Sequence, residues 1–373
     1  MQILPFKAVY PNYDYLSSPA SFFATVKEEY DDYYRSGFFL SHSQKAIYVY
    51  QITRGEQCST GIIAGVHISE YLNHNLKRHE DTIADKEQKQ IQLLLKRKAS
   101  VKPVLLTYPT VEEIDDFLSD WVATQPVFFE IPIPEKQEVH RFWTIENEAD
   151  VARIQQLFDQ QVACTYIADG HHRSSAMATL YHKLHNRRPQ AFELLLCALF
   201  PASQIKIWDY NRVLDDLNGV SPTRFMAGLS TVADILPRSA PFKPERVHQL
   251  AMCIHREWYE LNWKPAVLEA YQTKGVILDV QLLDEKILRD LLGIADVRRE
   301  PGITYIEGPQ GLEGIRRKLV HSDNGVAFCL YPVAFGDFVQ MAESDQIMPP
   351  KSTWFEPRLV NGILAYDFHH ELQ

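Results

Sequence analysis

Residues 163–173 read Ala-Cys-Thr-Tyr-Ile-Ala-Asp-Gly-His-His-Arg, and this order sets the fold class. Residues 163–168 form a short apolar run with β-formers, which predicts a strand. The run stops at Asp169-Gly170, a turn pair. Beyond it Met177, Leu180, Tyr181 and Leu184 recur at helical spacing. Strand, tight turn and helix in succession predict a mixed α/β protein with α+β elements.

The same alternation spreads outward. Strands are expected at 47–52, 61–68, 104–106, 139–145 and 193–200, and helices at 82–98, 111–122 and 149–158. Thr82 with Asp85 has the spacing of a capping box ahead of Ile91, Leu94 and Leu95. In the last third, 276–292 reads as partly helical, 303–306 and 326–330 as strands, and 312–319 and 337–343 as helices. Residues 348–353 must be a loop, because Pro349-Pro350 removes donors and fixes φ. A chain of 373 residues suggests two domains. The proline-bearing stretch 236–244 is the expected joint, giving an N-terminal domain of 1–235 and a C-terminal region of 245–373.

Composition narrows the function. Hydrophobic residues at 46% and charged residues at 23% are ordinary for a globular chain. No run approaches the roughly 20 apolar residues a bilayer span needs, and residues 1–9 do not read as a secretory signal. The expectation is a cytoplasmic protein with no membrane partner. The five cysteines are odd in number, widely spaced and without a C-x-x-C pair, which argues against disulfide or cysteine–zinc frameworks. A net charge of −10 argues against nucleic acid as the main partner, while leaving room for a small anion in a local basic pocket. The expected partner is a small-molecule substrate, and a homo-oligomer is compatible with the sequence.

Three constellations bear chemistry. In the first, Gly170 lets the backbone approach a ligand, and the following helix start offers unpaired N–H donors. Arg173 adds a forked donor, while His171 and His172 can donate or move a proton. Asp169 could cap the helix, orient a histidine or hold a magnesium ion. A plain capped helix start explains Asp169 and Gly170 equally well, though not the histidines and arginine beside them. The second constellation is Lys77-Arg78-His79-Glu80-Asp81-Thr82, running on to Lys86-Glu87. Lys77, Arg78 and His79 could hold a charged ligand while Glu80 acts as base, or the group is a solvated helix entrance. The third is residues 348–358, from Met348 to Arg358, where Lys351-Ser352-Thr353 is phosphate-gripping in composition but lacks the glycine loop of a Walker motif. A rigid proline-anchored loop is the alternative reading.

Taken together, these segments resemble the family known as domain of unknown function 1015. The resemblance runs nearly full length through Pro5-Phe6-Lys7-Ala8, Tyr48-Val49-Tyr50-Gln51, residues 76–82 with Lys86-Glu87, 140–143, 166–173, Asn211-Arg212-Val213 and 348–357. The chain departs from the family pattern at 10–38, where Asn12-Tyr13-Asp14 is a remnant of a longer element. More distantly, the Asp-Gly-His-His-Arg turn resembles that of ParB/sulfiredoxin-like free-serine kinases. That likeness implies a ParB/sulfiredoxin-like core, with Gly170, His171, His172 and Arg173 on nucleotide phosphates. It implies ATP or ADP with Mg2+, the metal at Asp169. Glu80, Asp169, His171 and His172 are then the candidate catalytic residues. Lys77, Arg78, His79, Lys351, Ser352 and Thr353 join Gly170, His172 and Arg173 as candidate phosphate contacts. Phosphoryl transfer on a small hydroxylated metabolite, free serine or phosphoserine first, is the expected activity. A phosphatase using the same grip and a non-catalytic nucleotide-sensing or scaffold protein are the alternatives.

Overall fold

The strand expected at 47–52 is the centre from which the first sheet grows. In the computed structural model, which describes residues 1–184, 192–272, 275–320, 322 and 324–369, helix α1 (Pro19–Arg35) precedes it. The strand itself spans Ile47–Arg54 (β1) and pairs antiparallel with Gln57–His67 (β2). Ile47, Tyr48, Val49 and Tyr50 are all fully buried, so both faces of β1 are covered. Ile47 and Val49 belong to the aliphatic core, while Tyr50 stacks on Phe142 with ring centroids 4.5 Å apart.

The chain divides into two compact units, one of Met1–Lys206 with Pro357–Gln373 and one of Ile207–Glu356. In the first unit the elements continue as β3 (Leu76–Lys77), α2 (Ala84–Arg97), β4 (Val104–Tyr108), α3 (Glu112–Thr124), β5 (Phe129–Ile133) and β6 (Glu138–Ile145). Helix α4 (Glu148–Gln161), β7 (Thr165–Asp169), α5 (His171–Leu184) and β8 (Leu194–Pro201) follow. The sheet order is β3-β7-β4-β8-β2-β1-β6-β5, with Ile3–Leu4 also paired to β2. Strands β3 and β7 run parallel, placing Lys77 opposite Tyr166, so their C-terminal ends emerge on the same sheet edge. Strand β4 runs antiparallel to β7, so its N-terminal end lies there too, with Leu105 opposite Asp169. Three segments far apart in sequence therefore deliver their ends to one place.

The second unit begins with β9 (Tyr210–Leu214), α6 (Pro222–Val232), β10 (Ala233–Arg238), β11 (Gln249–Ile254) and β12 (Glu257–Trp263). It continues with β13 (Ile303–Glu307), α7 (Gly311–Leu319), β14 (Val326–Cys329) and α8 (Phe335–Glu343). These six strands form an antiparallel sheet in the order β10-β12-β11-β14-β9-β13. The expected joint at 236–244 lies inside this unit, and the divisions fall at Lys206/Ile207 and Glu356/Pro357. Pro237, the first of the three prolines in that stretch, sits in the edge strand β10, a position that tolerates a missing N–H.

Two further expectations need correction. Helix α2 starts at Ala84 with Ile83 at its cap and no side-chain cap bond, so the Thr82–Asp85 capping box does not form. The Ile83 N–H instead donates to His172 Nε2 at 3.1 Å. Helix α1, absent from the sequence reading, carries ordinary start signals: Ser18 accepts from the Ser21 N–H, and Pro19 occupies the first turn. Its Phe22, Phe23, Val26 and Tyr30 are buried. Among the described residues no helix is long and apolar enough to cross a membrane. The mixed α/β class is the one expected.

Candidate functional site

Strand β7 ends in a register shift between Ile167 and Asp169, which re-aims the Asp169 carboxylate. Gly170 then adopts φ +117, a conformation L side chains rarely take. A Cβ there would lie 2.8 Å from Arg173 Nη2, so glycine also makes room for the guanidinium to fold back over the turn. The Arg173 and Ser174 N–H groups both donate to the Gly170 carbonyl, at 2.9 and 3.0 Å, and start helix α5. Arg173 Nη2 donates to Asp169 Oδ2 at 2.9 Å. Asp169 therefore does not cap the helix.

Two more cations reach the same carboxylate. Lys102 Nζ, from the segment entering β4, is 3.5 Å from Oδ2, and Arg358 Nη1, from the C-terminal segment, is 3.9 Å from Oδ1. Burial alone would raise the Asp169 pKa; Arg173, Lys102 and Arg358 outweigh it and hold the carboxyl far below its usual range. The surplus shows on the lysine. Burial, with repulsion from Arg173 and Arg358 and against the pull of Asp169, lowers Lys102 to about 8.

Beside this cluster lies a cavity of about 230 Å3 whose lining includes Lys27, Arg97, Lys102 and Arg173. Arg97 is the third point of the buried stripe Ile91–Leu94–Arg97 on α2, where an aliphatic residue would be expected. Its Nε and Nη1 donate to the carbonyls of Leu93 and Lys27, at 3.0 and 3.2 Å. Burial lowers its pKa to about 10. Neither Arg97 nor Lys102 belongs to a segment that reads as a motif, whereas Arg358 closes the 348–358 constellation. The usable signal was a cation embedded in apolar sequence, as in Val101-Lys102-Pro103-Val104.

The proton-carrying candidates gather around the same turn. His79 and His171 are buried with ring centroids 4.5 Å apart at 84°. Burial lowers His79 to about 3 and pushes His171 well below its ordinary value, so both rings are neutral near pH 7. His171 Nδ1 is 3.9 Å from Glu80 Oε2. His172 accepts the Ile83 N–H on Nε2, which requires that nitrogen unprotonated; burial and Lys86 lower its pKa accordingly. Glu87 accepts from Ser175 Oγ and from Thr179 Oγ1, tying α2 to α5. Lys77 is half-buried in β3, and Arg78 is exposed with its guanidinium 5.9 Å from the Tyr71 ring centre.

The first and second constellations thus converge, and Arg358, the last residue of the third, reaches the Asp169 carboxylate. Lys351, Ser352 and Thr353 belong to the second unit. Ser352 Oγ donates to the Pro349 carbonyl at 2.6 Å, and Lys351 Nζ lies 5.2 Å from the Tyr210 ring centre. Ser352 and Thr353 are buried, as suits the rigid-loop reading. Magnesium at Asp169 does not fit either. Three cations already surround that carboxylate, and among the described residues no group of three His, Cys, Asp or Glu is placed to hold a metal ion.

The first unit thus carries a cation-rich cavity beside the Asp169–Arg173 turn. The chain belongs to the family described as "Protein of unknown function (DUF1015)", whose model matches residues 8–285. Arg358 lies beyond the matched stretch. Several solved structures are similar to the chain. SbnI with C-terminal truncation from Staphylococcus aureus is 12% identical over 80% of this chain and 85% of that one, with a TM-score of 0.41. A free serine kinase in complex with AMP is 12% identical over 83% of this chain and 92% of that one, with a TM-score of 0.41. A conserved hypothetical protein from Pyrococcus furiosus is 12% identical over 83% of this chain and 97% of that one, with a TM-score of 0.39. No curated protein matches the chain.

Proposed function

We propose that the first unit grips a phosphoryl group with Arg173 and Lys102 and transfers it between a nucleotide, ATP or ADP, and a small hydroxylated metabolite. One observation carries this reading: a single carboxylate faces three cations within 4 Å, beside a cavity that Arg97 and Lys27 also line. Unbalanced buried charge is costly, and an entering oxyanion offsets it. Phosphoryl transfer asks mainly for positioning and charge neutralisation, which this arrangement is suited to supply.

Glu80 is the proposed base, oriented by its neutral neighbour His171. The acceptor oxygen bonds to phosphorus, the donor's bridging oxygen leaves with the electron pair, and the hydroxyl proton passes to Glu80. The test is calorimetric titration with inorganic phosphate, ADP and ATP, paired with nucleotide consumption across a panel of hydroxylated acceptors. Arg173→Ala is expected to weaken phosphate and nucleotide binding at least tenfold, and Glu80→Gln to abolish turnover while binding persists. If no phosphorylated compound binds the wild type, the reading fails. Binding without turnover under any acceptor identifies a nucleotide-responsive binder instead.

A further inference from the structure

The cavity discriminates among acceptors by charge. Lys27, Arg97, Lys102 and Arg173 line it, and among the described residues that line it none is acidic. The acids nearest these cations lie outside the lining. Asp169 is shared by three cations, Glu28 is an exposed partner of Lys27 on α1, and Asp31 lies half-buried on the same helix. The remaining polar lining includes the neutral amides of Gln90 and Asn361. At about 230 Å3 the cavity is below the roughly 300–1,000 Å3 of pockets that take drug-sized ligands, which suits a metabolite of a few carbons rather than a whole nucleotide.

A free amino acid brings an ammonium group along with its carboxylate. Here the carboxylate would meet cations, but the ammonium would enter the same positive field with no carboxylate lining the cavity to receive it. From this we infer that the acceptor is a small hydroxy acid without an amino group, or its phosphate ester, and that free amino acids are selected against. The inference rests on the phosphoryl-transfer reading and narrows its substrate. It also locates specificity in Lys27 and Arg97, outside the Asp169–Arg173 turn.

Glycerate and serine make the comparison clean, because they differ at one position, hydroxyl against ammonium, and are nearly equal in size. Their phosphate esters, 3-phosphoglycerate and O-phosphoserine, differ in the same way. Calorimetry on the full chain is expected to show 3-phosphoglycerate binding at least tenfold more tightly than O-phosphoserine, and nucleotide consumption to show the same order for the two acceptors. Gln90→Glu places a carboxylate in the lining and is expected to shrink the preference severalfold or reverse it. Lys27→Gln, at a half-exposed position, is expected to weaken both esters and narrow the gap, with thermal melts reporting that each variant folds. Equal or tighter binding of the amino compounds by the wild type overturns the inference while leaving phosphoryl transfer standing. Failure of every phosphorylated probe, inorganic phosphate included, sinks the underlying reading instead.

Discussion

Each unit holds an arginine against a partly or wholly buried aspartate, and the two pairs behave oppositely. Asp169 in the first unit has three cations within 4 Å, and its carboxyl is held far below the normal range. Asp284 in the second unit has Arg212 at 3.6 Å, and burial, opposed by that arginine, raises its carboxyl to about 6. Arg212 is fully buried and spends its donors on structure. Nη1 donates to the carbonyls of Tyr210 and Lys351, at 2.7 and 3.0 Å, and Nη2 to that of Pro350 at 3.3 Å. A salt bridge alone therefore says little about role. What separates a site from a strut is the sign of the surplus charge and whether a cavity adjoins it.

The largest expected effect tests the strut. Arg212→Leu strands the Asp284 carboxyl and frees the two carbonyls of the 348–353 loop. Removing one member of such a pair typically costs about 3–5 kcal/mol, and urea unfolding should show a loss of that order. Arg173→Ala should differ in kind. Lys102 and Arg358 remain beside Asp169, so stability is expected to fall by about 1 kcal/mol or less while phosphate affinity drops at least tenfold. If Arg173→Ala proved as destabilising as Arg212→Leu, with phosphate affinity intact, both pairs would be struts.

The sequence displayed one half of this contrast. The run from Thr165 to Leu184 was legible because periodicity switches from strand to helix at a glycine, and the structure has that strand and helix. The partnership of His79-Glu80 with His171 was not, because it depends on parallel pairing of β3 with β7, a long-range choice that local pattern does not encode. Lys102 drew no reading, and Arg358 closed a proline-anchored segment whose approach to Asp169 local pattern does not encode. Arg97 was hidden by its own position, on a buried helical stripe where a cation is unusual. Pro237 misled because edge strands and linkers tolerate proline alike.

Glycine substitutions sharpen the comparison at a smaller scale. Gly37 and Gly170 both have positive φ, but a Cβ at Gly37 meets nothing within 4 Å. Gly37→Ala should therefore cost only local strain, on the order of 1 kcal/mol. Gly170→Ala adds a contact with the Arg173 guanidinium, so it is expected to cost up to about 3 kcal/mol and to weaken phosphate binding as well. Unchanged phosphate affinity in Gly170→Ala would mean that the folded-back guanidinium is not the ligand grip.

The finest test is pH, because the two pairs carry opposite linkage. Asp284 has a folded pKa of about 6 against roughly 3.9 unfolded, so its charged form is penalised at neutrality. That penalty is relieved as pH falls through 6 toward 4, adding on the order of 3 kcal/mol from this group, and Asp284→Asn should erase the gain. Asp169 pulls the other way, its contribution being lost only as pH falls below the unfolded carboxyl value near 3.9. Lys102, at about 8 against roughly 10.4 unfolded, is penalised below pH 8, and the penalty lifts as the amine loses its proton. In that same window the cavity loses a cation, so phosphate should bind more weakly between pH 7.5 and 9.5, to an extent of roughly a few-fold. Lys102→Met should flatten that profile, because the proton that sets it is gone. A profile equally steep in the variant would assign the titration to another group and remove Lys102 from the anion's grip.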